Sequence, residues 1–466
     1  MKFVKMALDW FNDRTGLIDM LDPMVKHPVP PDTGWMYVFG SAVLISFVLQ
    51  IITGIFLATM YVPSSSEAYQ SLEFITNSAT LGSFLRGMHY WGASAMILFL
   101  GVHMIRVFLT GSYKFPREMS WLSGVVLLFL TVGMGFTGQT LRWDQNAIWS
   151  IIVGAEQAGR VPFIGQWVAR LVLAGGTLSS VTLSRFFVLH VFVLSGLIIA
   201  TLSFHLYLVL RNGISEPPVP GRRVKIPEYR DFYKRLLEKR GVPFWPHAAW
   251  RDAVFGFVVL AGIMLLAWLV GPPVIGKPPN PTIIQAEPRP DWYLLWYFAV
   301  LALLPHGAEK WVIVFGPLVV IVVLLLLPFV FPGGERNARR RPWAVAIVLT
   351  IVVSVAVLWR AGITAHWSPD FNAEALPKEV IGVTSGPVYL GSQLFANKGC
   401  IYCHAIAGRG GHRGPDLTTV GDRLTEQQMI IRVTNGGYNM PGFGSILSST
   451  ELKQVVAFLQ SRQAPE

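Results

Sequence analysis

The chain has 466 residues, of which 52% are hydrophobic and only 14% charged, with a mean hydropathy of +0.48. Soluble domains carry about 25% charged residues, so this deficit excludes an ordinary soluble enzyme and points to a membrane protein with several spans. The net charge of +11 lies in loops between apolar stretches and not along one polar face, which excludes nucleic-acid binding and makes the charge an orientation signal.

Residues 1–35 carry Lys2, Lys5, Trp10, Phe11 and Arg14, with no long apolar run and no small-residue cleavage site. They read as an amphipathic segment lying on the membrane surface, not a cleaved leader. A bilayer core takes about 20 apolar residues in a helix. Seven stretches qualify: 36–60, 84–109, 121–141, 184–210, 251–270, 310–331 and 342–360. The predicted fold class is all-α. An integral membrane bundle has a four-helix module in 36–215 and a three-helix module in 251–365, joined by a Pro-rich, basic connector at 216–250. A linker (366–386) then leads to a small all-α soluble domain at 387–466.

The loop after the second span holds Lys114 and Arg117. The connector holds Arg222, Arg223, Lys225 and Arg230, and the loop after the sixth span holds Arg336, Arg339, Arg340 and Arg341. An excess of Lys and Arg marks the cytoplasmic side. The other loops, and everything after the seventh span, are then expected outside a bacterial inner membrane.

Four of ten histidines fall inside apolar spans: His89 and His103 in the second, His190 and His205 in the fourth. An ionisable residue there is a functional candidate. At about 100° per residue, steps of fourteen and fifteen residues return close to one helix face, about 21 Å apart along the axis. The two spans run parallel, so His89 meets His190 near the outer surface and His103 meets His205 near the inner one. Facing neutral imidazoles suit the axial ligation of two non-covalent b-type haems. Gly40 and Gly54 on the first span, and Gly124 and Gly138 on the third, repeat the fourteen-residue step. Glycine lets a bulky planar group approach the backbone; taken singly, such glycines serve helix packing. Arg86 and Arg106 lie one turn from His89 and His103 toward the surface, where a guanidinium can pair with haem propionates.

Near the C-terminus, Cys400-Ile401-Tyr402-Cys403-His404 is the attachment motif of one covalent c-type haem, with His404 on the iron. Asn439-Met440-Pro441 supplies a thioether as the distal ligand. Met440 as a core filler and His412 as the distal ligand stand as alternatives, and a zinc or thiol-redox site is the competing reading of the cysteine pair.

Several stretches resemble cytochrome b of quinol:cytochrome c reductase and plastid bf complexes. They are Arg86-Gly87-Met88-His89-Tyr90-Trp91, His103-Met104-Ile105-Arg106, Lys114-Phe115-Pro116-Arg117-Glu118 with Trp121, Thr137-Gly138 through Trp143-Asp144-Gln145, and Arg185-Phe186-Phe187 with His190. The fifteen-residue step from His190 to His205 and the run His205 to Ser215 are similar to the seven-helix branch, here joined to a class I cytochrome c domain. Pro290-Asp291-Trp292-Tyr293 resembles the family's Pro-Glu-Trp-Tyr motif at the outer quinol site. The resemblance implies that Asp291 accepts a quinol proton, with Pro290, Trp292 and Tyr293 lining the site; read alone, Pro290 and Asp291 merely start a helix. Aspartate in place of glutamate leans toward menaquinone. Arg211, then Asp22, are the residues implied for the inner quinone site. Val38 stands where the plastid type has a haem-tethering cysteine, Arg142 where a proline precedes Trp143, and Ser195 where the fourth span usually has proline.

The function implied is bifurcated quinol oxidation as a quinol–cytochrome c reductase. The partners implied are a Rieske-type iron–sulfur protein, the membrane quinone pool, a soluble or membrane-bound electron acceptor and a second copy of the complex. The rivals are a haem-bearing membrane anchor that passes electrons from quinol without bifurcation, and a transporter with incidental histidines.

Overall fold

The computed structural model describes residues 2–280, 290–304, 308–364, 370, 373–436, 440 and 442–464. Asn439, Pro441 and part of the expected linker lie outside them. Seven helices are long and apolar enough to span a membrane: α1 (Phe39–Ala58), α2 (Gly82–Leu109), α3 (Glu118–Thr140), α4 (Ser180–Asn212), α5 (Ala249–Leu269), α6 (Lys310–Val330) and α7 (Pro342–Thr364). They agree with the seven expected spans. Such segments are helical because a bilayer offers no water to unpaired backbone groups, and the helix satisfies them within itself. The fully buried share is 28% in α1 but 6% in α6 and α7, so few residues of the last two are covered within the described structure.

The chain forms two compact units, one of residues 1–143, 155–275 and 310–354, the other of 144–154, 276–309 and 355–466. In the first unit α1 packs along α2, α5 lies against both, and α3 packs on α4. Phe47, Met96 and Ile198 form a buried cluster with Leu127, Leu130, Met134 and Leu202, so all four helices of the bundle contribute. Phe47 lies midway between Gly40 and Gly54, and Met96 midway between His89 and His103. An apolar plug therefore separates two polar levels.

The three basic connections meet at one end of this unit. Arg336 donates to the Glu216 carboxylate at 2.5 Å, with side chains only 4% and 7% exposed. Tyr229 donates to the second carboxylate oxygen at 2.6 Å and accepts from Arg117 at 2.8 Å. Arg117 also donates to the Gly213 carbonyl. Burial pushes the Tyr229 hydroxyl above its ordinary range, so it stays a proton donor to Glu216. Removing one partner of a buried ion pair costs about 3–5 kcal/mol, because the other charge is left uncompensated. Glu216→Ala is accordingly expected to lower the thermal unfolding midpoint in detergent sharply. Glu216→Gln, which keeps one oxygen acceptor and so satisfies one of the two donors, should lower it less. Two short antiparallel pairings, Pro28–Val29 with Val242–Pro243 and Arg223–Val224 with Gly334–Glu335, add further ties in this unit.

The second unit contains a small helical domain: α8 (Gly386–Asn397), α9 (Cys400–Cys403), α10 (Glu426–Asn435) and α11 (Ser449–Gln460). α8 crosses α11 closely, with the Phe395 and Phe458 rings 5.6 Å apart. Gly391 permits the crossing, since a Cβ there would run into the Gln454 carbonyl. Capping boxes start α10 (Thr425 with Gln428) and α11 (Ser448 with Glu451), satisfying backbone N–H groups that the helix itself leaves unpaired.

Candidate haem and quinol sites

α2 and α4 bring His89 and His190 face to face, ring centroids 6.3 Å apart and planes at 70°. Two metal–nitrogen bonds of about 2 Å plus two ring radii of about 1.1 Å give about 6.2 Å, so the gap fits one metal ion between two imidazoles. His103 and His205 form the second level, against Gly40 and Gly124 respectively.

Each histidine faces one of the four glycines. A Cβ built at Gly54 would lie 3.3 Å from the His89 ring, one at Gly40 3.2 Å from His103, one at Gly124 3.6 Å from His205 and one at Gly138 2.8 Å from His190. The nearest neighbour that these glycines admit is thus the imidazole itself, a refinement of the reading that they admit the macrocycle. The distances grade an expectation. Gly138→Ala forces His190 to shift, an overpacking that costs about 1–3 kcal/mol, and should lower b-haem content. Gly124→Ala makes an ordinary contact and should leave haem content unchanged. Haem-to-protein ratios of the two purified variants check this.

Three of the four rings have a hydroxyl on Nδ1: Thr53 at 2.9 Å from His89, Ser123 at 2.9 Å from His205 and Thr137 at 3.1 Å from His190. Each hydroxyl donates its own hydrogen to a carbonyl of its helix, Leu49, Ser120 and Gly133 respectively. It can therefore only accept from the ring. With the hydroxyl hydrogen on the carbonyl, this arrangement favours the tautomer that carries its proton on Nδ1 and leaves the Nε2 lone pair free for a metal. His103 is the exception, its Nδ1 buried with no hydrogen-bond partner among the described residues. The sequence reading missed this second layer, although its signal is legible: a hydroxyl residue immediately precedes Gly54, Gly124 and Gly138, whereas Phe39 precedes Gly40.

Arg86 is buried and donates to the Pro273 carbonyl at 2.8 Å and to Thr76 at 3.1 Å. Arg106 is buried over the Tyr37 ring at 4.6 Å, and its Nε has no hydrogen-bond partner among the described residues. A buried donor of this kind needs an acceptor, and a haem carboxylate would supply one. Arg211 bonds Tyr207 on its own helix, and Asp22 pairs with Lys26 one turn on, so the two residues implied for an inner quinone site are held by separate local partners.

In the second unit, Asp291 opens a short turn, Trp292–Leu294, that runs into the helix Leu295–Leu303. Its carbonyl accepts from Leu294, and its side chain makes no capping bond to the turn. The Tyr293 hydroxyl is buried. The neighbouring stretch is tied down by the start of the helix Gln145–Gly159: Asp144 accepts from Gly276, and Gln145 exchanges hydrogen bonds with Asn280.

The Cys400–Cys403 turn follows Gly399, whose φ of 80° favours glycine. Burial pushes the Cys400 thiol up to about 12 and Cys403 up to about 11. Among the described residues, no group of three or more His, Cys, Asp or Glu is placed to hold a metal ion. His404 Nδ1 bonds the Pro415 carbonyl at 2.8 Å, which leaves Nε2 free, and Met440 packs half-buried against the domain core. His412 is exposed. Tyr402, within the motif, accepts a hydrogen bond from Lys277 at 2.8 Å, a contact that the sequence does not announce.

Seven spans with paired histidines, three of the four rings held at Nδ1 by a hydroxyl, and a Cys-x-x-Cys-His domain define a multi-pass haem protein of electron transport. Residues 24–213 match the family Cytochrome b/b6/petB, residues 278–372 the family Cytochrome b(C-terminal)/b6/petD, and residues 388–459 the family Cytochrome C oxidase, cbb3-type, subunit III. A cytochrome b6 of Heliobacterium mobile is 38% identical over 212 residues, 45% of this chain and 100% of the relative. A cytochrome b/c1 of Bradyrhizobium diazoefficiens is 31% identical over 360 residues, 76% of this chain; the match spans about half (49%) of that longer protein. A solved chain of a hyperthermophilic respiratory Complex III superposes with a TM-score of 0.66 at 27% identity, covering 77% of this chain and 91% of that one. The chain belongs to the cytochrome b family of bc- and bf-type quinol oxidoreductase complexes, with a cytochrome c domain at its C-terminus. It is a haem-carrying, multi-pass membrane subunit of a multi-subunit complex.

Proposed function

We propose that the chain is the catalytic subunit of a quinol–cytochrome c reductase that bifurcates the two electrons of quinol. The observation that carries this reading is the pair of histidine levels at matching glycines, separated by an apolar plug. His89 with His190, and His103 with His205, would hold two non-covalent b haems. Cys400, Cys403 and His404, with Met440, would hold one covalent c haem. Bound there, the haems supply one-electron transfer along and out of the bundle. The chain's own residues do the rest. Thr53, Thr137 and Ser123 fix the imidazole tautomers, and Arg106 offers a charge to a propionate. Asp291 takes a quinol proton at the outer side, with Pro290, Trp292 and Tyr293 around the quinol ring. Menaquinone is the favoured substrate.

The domain limits given above, a bacterial plasma membrane location and a periplasmic c domain complete the proposal. The chain has only two cysteines, both in the c-haem motif. The first electron acceptor is therefore a separate Rieske-type iron–sulfur protein, within a complex that dimerises. Redox-difference spectra with haem quantification test the reading. Two b haems per covalent c haem, with a co-purifying iron–sulfur protein, support it. One b haem or none overturns the paired assignment. Two b haems without any iron–sulfur partner would favour the simple membrane anchor.

A further inference from the structure

On α2, His89 and His103 are fourteen residues apart, which in a regular helix falls about 40° short of four full turns. On α4, His190 and His205 are fifteen apart, and a regular helix would overshoot by about 60°. The mismatch of about 100° is one residue's worth of rotation, enough to turn one ring off the shared face. Yet both rings meet glycines on α3 that are themselves fourteen residues apart, Gly124 and Gly138.

The extra residue is absorbed locally. Leu189–Leu194 is a π-helical turn inside an otherwise α-helical span, and His190 sits within it. A π-bulge accommodates one more residue per turn than the α-helix and often marks a functional site. Ser195 closes it: its hydroxyl donates to the His190 carbonyl, five residues back, at 2.8 Å. That bond spans the bulge on the backbone of the histidine itself. The other histidine of the helix, His205, follows regular α-helix from Ser195 onward.

We propose that Ser195 is a positioning residue for His190, its hydroxyl fixing a one-residue π-bulge that sets the register and ring orientation of that ligand separately from His205. The proposal rests on the reading of His190 as an axial ligand, and the test separates the two. Low-spin electron paramagnetic resonance resolves the two b haems, and its signals depend on the angle between ligand planes, so they report orientation where haem content alone does not. Ser195→Ala in the full chain is expected to shift the signal that His190→Leu abolishes, while the other b-haem signal and the haem count stay as in the parent. Ser195→Thr, which keeps the hydroxyl, restores the parent signal. Deleting Val193 in the Ser195→Ala background returns the histidines to a fourteen-residue step on a regular helix, and both b haems remain bound. The proposal is overturned if Ser195→Ala leaves both signals unchanged, shifts both alike or shifts only the signal that survives His190→Leu. It is equally overturned if the deletion variant loses a b haem. Retention of both b haems in His190→Leu instead sinks the ligand assignment itself.

Discussion

His89→Leu is expected to leave one b haem for each covalent c haem, against two in the parent chain. Leucine fills a similar volume but offers no lone pair, and no other described imidazole faces His190 across the 6.3 Å gap. The variant also strands Thr53, whose hydroxyl accepts from the ring. That loss is small, because the hydroxyl keeps its bond to the Leu49 carbonyl, so the fold should persist. The measurement is a haemochrome ratio of b to c on purified protein, with α-helical content by circular dichroism as the control for folding. Quinol oxidation should fall at least a hundredfold in the same preparation. Retention of two b haems would remove the outer pair from the proposal.

Asp291→Asn carries the second large effect. General acid–base catalysis contributes about 10²–10⁴ in rate, and asparagine cannot take a proton. Quinol oxidation should drop by about a hundredfold or more, with haem content unchanged. Asp291→Glu restores a carboxylate one methylene longer, as in the family's own motif, and should keep most of the rate. Steady-state quinol oxidation by the complex, with spectra confirming equal haem, checks both. Equal losses in the asparagine and glutamate variants would point to packing around Trp292 and Tyr293 in place of proton transfer.

Much of the fold was legible because a bilayer imposes one strong rule on sequence: apolar length decides the spans. The seven stretches read from composition correspond to α1–α7, with ends displaced by a few residues, as where α4 runs past its apolar stretch at both ends. The histidine and glycine steps were legible because side chains on a helix repeat with a fixed angle. The c-haem motif was legible because its ligands are contiguous. What sequence could not reach is whatever depends on contacts between distant segments. Nothing local pairs Glu216 with Arg336, 120 positions away, or brings Tyr229 between Glu216 and Arg117. The Lys277–Tyr402 bond is equally non-local.

By itself, then, the sequence determined the class of protein, the number of spans, the candidate ligands and their spacing, since each follows from one-dimensional periodicity or from a contiguous motif. Only the tertiary structure decided which atom each glycine faces, which histidine nitrogen carries its proton and how a fifteen-residue step on α4 matches a fourteen-residue step on α3. Those depend on helices packing side by side, where a hydroxyl on one helix fixes the tautomer of a ring on the next. A single π-helical turn, invisible to a reading that assumes uniform rotation, brings two histidines to one face.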